Sequence, residues 1–249
     1  MNRFPTEFED LLNNQGKAIL KNGYAPEDKN DRKRTPIDVL SHVIDTGKAM
    51  DCVNILQKTF YKSMKPISSK IDTRELTGMR KNYSERLSKN LRMKTLEIGS
   101  SKSKSYELAK SCGLMDMLNS ESLKIFGEKV ANTPFGSAEN NQIICYQHGD
   151  YVSPHNDHHP ENPNVRNGYF DIHIMFSNPH VQHQLLVYEK KGFLNGTYNI
   201  ASPAAIAVYR LPFWHYTTPM LGKKGYEDQA RRWLLLRSFE MGPVSKKTK

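Results

Sequence analysis

The stretch Cys145-Tyr146-Gln147-His148-Gly149-Asp150-Tyr151-Val152-Ser153-Pro154-His155-Asn156-Asp157 decides how the rest of the chain is read. Upstream of it, apolar residues recur at helical spacing; from about Gln142 onward they alternate with a period of two. Gly149-Asp150 supplies a turn, and His155 and Asp157, two positions apart, project to one side of an extended segment. Further strands are predicted at Tyr169–Phe176, Gln184–Glu189, Thr197–Ile200, Ala204–Arg210, Phe213–Thr218 and Arg231–Phe239. Turn pairs such as Asn167-Gly168, Lys191-Gly192, Asn195-Gly196 and Ser202-Pro203 separate them. Short strands at this spacing predict an antiparallel sandwich or barrel, with upstream helices on one face, hence an α+β chain.

Working outward, residues 1–34 read as a polar, loosely held arm that ends in the charged run Glu27–Arg34. Thr35-Pro36 resembles a helix start, and Ile37, Leu40, Val43 and Ile44 follow at helical spacing. A second helix is predicted through Met50, Val53, Leu56 and Phe60, and Tyr106–Leu118 and Leu123–Phe126 restore the pattern. Residues 35–130 are therefore expected to be a helical, basic support and 131–243 the β-rich core, with 244–249 as a basic tail. Within the support, 62–104 carries 12 basic and 4 acidic residues, and Ser100–Ser105 reads as exposed loop.

The chain of 249 residues is long enough to bury a core unaided, and its three widely spaced cysteines argue for reduced thiols rather than a disulfide framework. No apolar run approaches a membrane span or a signal peptide, so a cytoplasmic protein without membrane contact is expected. The net charge of +10 leaves a polyanionic partner open. Eight of nine histidines fall between positions 148 and 215. Imidazole is thus concentrated in the β-rich half, apart from the most basic segment.

There, His155 and Asp157 are followed by His215 in the apolar strand Phe213-Trp214-His215-Tyr216. Two imidazoles and a carboxylate can occupy one face of an octahedral Fe(II), leaving three positions open. Sixteen residues beyond His215 begins Arg231-Arg232-Trp233-Leu234-Leu235-Leu236-Arg237. An arginine turned from such a strand into a barrel needs an anion, because a buried unpaired guanidinium is costly. Arg231, Trp233, Leu235 and Arg237 share one face and Arg232 takes the other, so register decides which cation points inward.

Taken in order, Tyr146-x-x-Gly149-Asp150-Tyr151, His155-x-Asp157, His215 and a last-strand arginine resemble the iron(II)- and 2-oxoglutarate-dependent oxygenases, over roughly residues 140–240. The segment before the His-x-Asp pair is similar to the prolyl-hydroxylase-like branch, although the interval from His215 to the arginines is longer than in that branch. The resemblance implies a double-stranded β-helix, a jelly-roll or cupin-like barrel. It also implies metal ligation by His155, Asp157 and His215, with 2-oxoglutarate as cosubstrate alongside O2. The far carboxylate of 2-oxoglutarate would meet Arg231, the first choice, or Arg232, with Arg237 touching cosubstrate or substrate and the Tyr146 phenol hydrogen-bonding the cosubstrate. The implied reaction couples decarboxylation of 2-oxoglutarate to succinate and CO2 with oxidation of a C–H bond. Because halogenating relatives carry a small residue in its place, Asp157 favours hydroxylation, desaturation or demethylation. The expected substrate is a small molecule or an amino-acid side chain. Two alternatives are an oxidative nucleic-acid demethylase, suggested by the basic 62–104 segment and the Arg231/Arg237 pair, and a cupin-like metal-binding protein without oxygenase activity. His173, between Ile172 and Ile174, is expected to face away from both, as a hydrogen-bonded core or ligand-supporting histidine ahead of one lining the barrel mouth.

Overall fold

A computed structural model describes residues 3–25, 35–70, 90–159 and 162–242. The expected charged run Glu27–Arg34, much of the basic 62–104 segment and the tail 244–249 lie outside these residues. Eight strands build the barrel: β4 (Phe135–Tyr146), β5 (Tyr151–His155), β6 (Tyr169–Ser177), β8 (Leu185–Lys190), β9 (Phe193–Asn199), β10 (Ala204–Leu211), β11 (His215–Thr217) and β13 (Arg232–Met241). One sheet has the order β10-β6-β13-β4 and the other β5-β11-β8-β9, all antiparallel. The chain crosses from sheet to sheet as it advances, which is the jelly-roll weave of a double-stranded β-helix. The short strands β7 (Val181–His183) and β12 (Leu221–Gly222) pair with each other beside it.

The N-terminal half contributes strands as well as helices. In it, β1 (Ile37–Ser41) extends the first sheet by pairing with β10, from Ile37 opposite Tyr209 to Ser41 opposite Ala205. This corrects the expected helix over residues 37–44. Ile37 belongs to the barrel's apolar cluster and Leu40 to the cluster under the helices. A strand buried on both faces can mimic the apolar spacing of a helix, and the edge of β10 settles the choice. A second correction concerns 35–130 as a helical support, because β3 (Asn90–Glu97) pairs with β4 through Lys94–Glu97 and with β5 through Leu91 and Arg92, joining the two sheets. β2 (Lys65–Lys70) pairs with β3 in turn.

The helices cover the outer face of the first sheet. They are α1 (Asn14–Asn22), α2 (Thr46–Thr59), α3 (Lys104–Ser111), α4 (Leu114–Leu118) and α5 (Glu121–Ala131). Asn13, Asp45, Ser103 and Ser120 accept from backbone N–H groups of the first turns of α1, α2, α3 and α5, satisfying donors that the helices leave open. Ser103 is thus a cap rather than part of a featureless loop. The buried faces of α2 (Cys52, Val53, Leu56) and α5 (Leu123, Phe126, Val130) share one apolar cluster with Ile172, Ile174, Trp233, Leu235 and Phe239 of the sheet. The arm is also corrected. Residues 3–25 are packed, with Phe4, Phe8, Leu11, Leu12 and Ile19 buried, Phe8 edge-on to Phe126 at 5.4 Å, and Phe4 N–H donating to the Cys112 carbonyl at 2.8 Å. Five large apolar side chains in a polar segment outweigh its average composition.

Candidate active site

Period two sorts each strand of the first sheet between the helices and the barrel interior. On β13 the odd positions face the helices, whereas Arg232, Leu234, Leu236 and Ser238 face inward and line a cavity of about 440 Å³. Cross-strand register arranges the inner face in rows. Arg232 lies between Tyr146 and Ser177, Leu234 between Ile144 and Met175, Leu236 between Gln142 and His173, and Ser238 beside Asp171, which in turn faces Tyr209. Successive inward rows are about 6.6 Å apart, two residues of strand rise.

The second sheet presents His155 and His215, directly opposite each other in the β5–β11 pair, with ring centres 4.3 Å apart. Each ring is held from behind: His155 Nδ1 lies 2.7 Å from the Ser153 carbonyl and His215 Nδ1 lies 2.9 Å from the Phe213 carbonyl. A carbonyl oxygen only accepts, so these bonds put the proton on Nδ1 and leave the Nε2 lone pair of each ring available. Both Nε2 atoms point at one carboxylate, with Asp157 Oδ2 at 3.3 Å from His155 and 3.6 Å from His215. Asp157 lies just past the end of β5 at φ 51°, a left-handed conformation that Asp enters more readily than most residues. The three donor atoms lie within 4.8 Å of one another, close enough to share one metal ion.

Toward the closed end, Arg232 is fully buried; its Nε donates to Gln184 Oε1 at 2.6 Å and its guanidinium lies 4.3 Å from the Tyr146 ring centre. Gln184 is fixed by donating to the Thr218 carbonyl at 2.9 Å. Nη1 of Arg232 has no hydrogen-bond partner among the described residues, and none of their carboxylates forms an ion pair with it. Burial pushes its pKa below the usual arginine value, countered chiefly by Tyr146 and Tyr209. Burial raises both phenols, which Arg232 partly offsets. A buried guanidinium with an orphan N–H fits an anionic guest.

The sequence reading put Arg231 first for this inward position; the structure corrects it. Arg231 faces the helices, donating from Nη2 to the Tyr61 hydroxyl at 2.9 Å and from Nη1 to the Ala230 carbonyl. Arg237 shares that face, donating to Asn119 Oδ1 at 2.7 Å, and so stands apart from the cavity it was expected to touch. Tyr146 lines the cavity, and His173 does too, away from Ile172 and Ile174. The sequence reading missed Gln184 and Asp171, although Asp171 carried a signal: an acid two positions from His173 in an otherwise apolar strand.

This geometry has counterparts among solved structures. An oxidoreductase of the 2OG-Fe(II) oxygenase family from Burkholderia pseudomallei superposes with a TM-score of 0.54 at 11% identity, covering 87% of this chain and 93% of that one. The fold is that of the 2-oxoglutarate- and iron(II)-dependent oxygenases. SnoK, a non-haem alpha-ketoglutarate-dependent carbocyclase from nogalamycin biosynthesis, gives a TM-score of 0.53 at 8% identity over 92% of this chain and 90% of its own. A prolyl hydroxylase from Trichoplax adhaerens, solved with a hypoxia inducible factor peptide fragment, gives 0.50 at 15% identity over 91% and 89%. No protein-family model and no curated protein matches the sequence significantly. Among the described residues, no helix is long and apolar enough to cross a membrane.

Proposed function

We propose that the protein is an Fe(II)- and 2-oxoglutarate-dependent dioxygenase that oxidises a C–H bond of a small molecule or an amino-acid side chain, releasing succinate and CO2. One observation carries the reading: His155 and His215, each locked through Nδ1 to a backbone carbonyl, aim both Nε2 atoms at Asp157. In this reading His155, Asp157 and His215 hold the iron, and Arg232, in place of Arg231, grips the far carboxylate of 2-oxoglutarate. The bound metal supplies open positions for the keto acid and O2 and the oxidising power that no side chain has.

The chain's own residues do the rest. The Ser153 and Phe213 carbonyls fix the tautomer and tilt of the two rings. Gln184 and the Tyr146 ring hold the Arg232 guanidinium flat in one orientation, ready for a bidentate contact. Leu234, Ile144 and Met175, the row between Arg232 and the His173 level, keep the intervening space apolar and exclude water. The test is anaerobic addition of Fe(II) and 2-oxoglutarate to the folded protein. A weak visible charge-transfer band supports the proposal, and its absence at saturating concentrations of both overturns it.

A further inference from the structure

The cavity is electrostatically opposite to the protein around it. The chain carries a net charge of +10, yet among the described lining residues the only lysine or arginine is Arg232, at the closed end. Apart from Asp157, which the proposed metal would neutralise, the charged lining toward the mouth is acidic: Asp171 and Glu139, with Glu240 next to Glu139. Burial and that neighbouring carboxyl both hold the Glu139 pKa above the usual carboxylate range. A polyanion entering this mouth meets repulsion, and a cation meets attraction.

Asp171 is the member with an unsatisfied buried oxygen. It is only 5% exposed, it lines the cavity, and its Oδ1 makes no hydrogen bond among the described residues. The His173 Nε2 nearest to it is 3.8 Å from Oδ2, too far for a hydrogen bond, and has no other partner among the described residues. A buried carboxylate oxygen in this state is costly unless a guest completes it. The surroundings indicate what kind of guest. Asp171 faces Tyr209 across the β6–β10 pair, and the Tyr209 ring packs at 4.1 Å from the His173 ring and 5.4 Å from the His215 ring. A carboxylate beside an aromatic face suits a cationic nitrogen, which both attract. The row structure also puts Asp171 on the opposite side of the His173 level from Arg232, three inward rows away, so one guest cannot satisfy Arg232 and Asp171 by the same group.

We propose that Asp171 binds a cationic nitrogen of the substrate, an ammonium or guanidinium, one aromatic side chain away from His215, so that the oxidised carbon belongs to a short amine- or guanidine-bearing chain. This rests on the oxygenase reading for the reaction, though not for the binding. The barrel is then polar at both ends with opposite sign: a guanidinium for the cosubstrate's acid and an acid for the substrate's base.

The test uses pentylamine, agmatine and pentanoate as probes, titrated by calorimetry under anaerobic conditions into protein charged with Fe(II) and 2-oxoglutarate. The two amines are expected to bind at least about tenfold more tightly than pentanoate. Asp171→Asn, which keeps the shape and removes the charge, is expected to erase that preference while leaving the Fe(II)–2-oxoglutarate band unchanged. Equal affinity for pentanoate, no binding of either amine, or amine binding unaffected in Asp171→Asn would overturn the proposal. A protein that forms no band, yet whose metal-free form binds the amines in an Asp171-dependent way, would refute the oxygenase reading alone. Loss of the band in Asp171→Asn would show that the residue acts on the metal site instead, and so would also overturn it.

Discussion

Replacing Arg232 by methionine separates the two contributions of a buried charge. In the ligand-free protein the guanidinium is fully buried, bonded to Gln184 through Nε, and has an Nη1 without a partner. Its lowered pKa has burial as the largest cause, so the folded state disfavours its charge. Methionine removes that cost but leaves Gln184 Oε1 without its donor, a loss of about 1–3 kcal/mol that the gain in desolvation offsets. Ligand-free stability should therefore change by less than about 2 kcal/mol, measured by equilibrium urea unfolding. Affinity for 2-oxoglutarate should respond differently, because the variant leaves the far carboxylate buried without a counter-ion. Truncating one partner of such a pair costs about 2–5 kcal/mol, which is about 30-fold to a few thousandfold in Kd. The assay is anaerobic titration of the charge-transfer band with 2-oxoglutarate at fixed Fe(II). A midpoint within about threefold of wild type, in a variant that remains folded, would refute the assignment of Arg232.

Arg231→Ala should leave that midpoint unchanged and cost the Tyr61 and Ala230 contacts, about 1–2 kcal/mol of stability; a raised 2-oxoglutarate requirement would restore the register first read from sequence. His155→Ala and Asp157→Ala should each abolish succinate formation and lower the iron retained after desalting, measured by elemental analysis, with far-UV circular dichroism unchanged. Trp233→Ala empties a fully buried position under the helices and should cost about 3–5 kcal/mol in urea unfolding. Burial pushes the Cys52 and Cys145 thiols up to about 12, against an ordinary thiol near 9.0. Above pH 9 the unfolded chain therefore loses these protons first, so their stabilising effect is intact below pH 9 and disappears between 9 and 12. At pH 8 neither thiol should react with a disulfide reagent until the protein unfolds; rapid native labelling of Cys145 would contradict its burial.

The β-rich half was legible because its alternation, turn pairs and histidines point to one arrangement. His155, Asp157 and His215 converge as their order suggested, and the even–odd division of β13 was readable from Arg231 to Arg237. Which face turned inward was not readable, because both carry a cation and apolar residues; pairing with Tyr146 and Ser177 decides it. The first half was harder for a related reason. Ile37, Val39 and Leu40 form a strand only because β10 offers an edge far along the chain, and no window of local sequence contains that partner. In the arm, average polarity concealed Phe4, Phe8, Leu11 and Leu12, whose burial depends on α5 and on Cys112.

The position of β13 bears on how such a chain is made. Among the described residues it is the last strand in sequence, yet it lies in the interior of its sheet, between β4 and β6, and it carries Arg232. During synthesis β4 and β6 emerge with facing edges unpaired, and β1 waits for β10. The first sheet cannot close until residues 232–241 have left the ribosome, whereas every strand of the second sheet precedes them. A nascent chain stalled before Arg232 lacks both the central strand and the buried guanidinium of the cavity. Those unpaired edges are also the sites at which two unfinished chains would pair with each other.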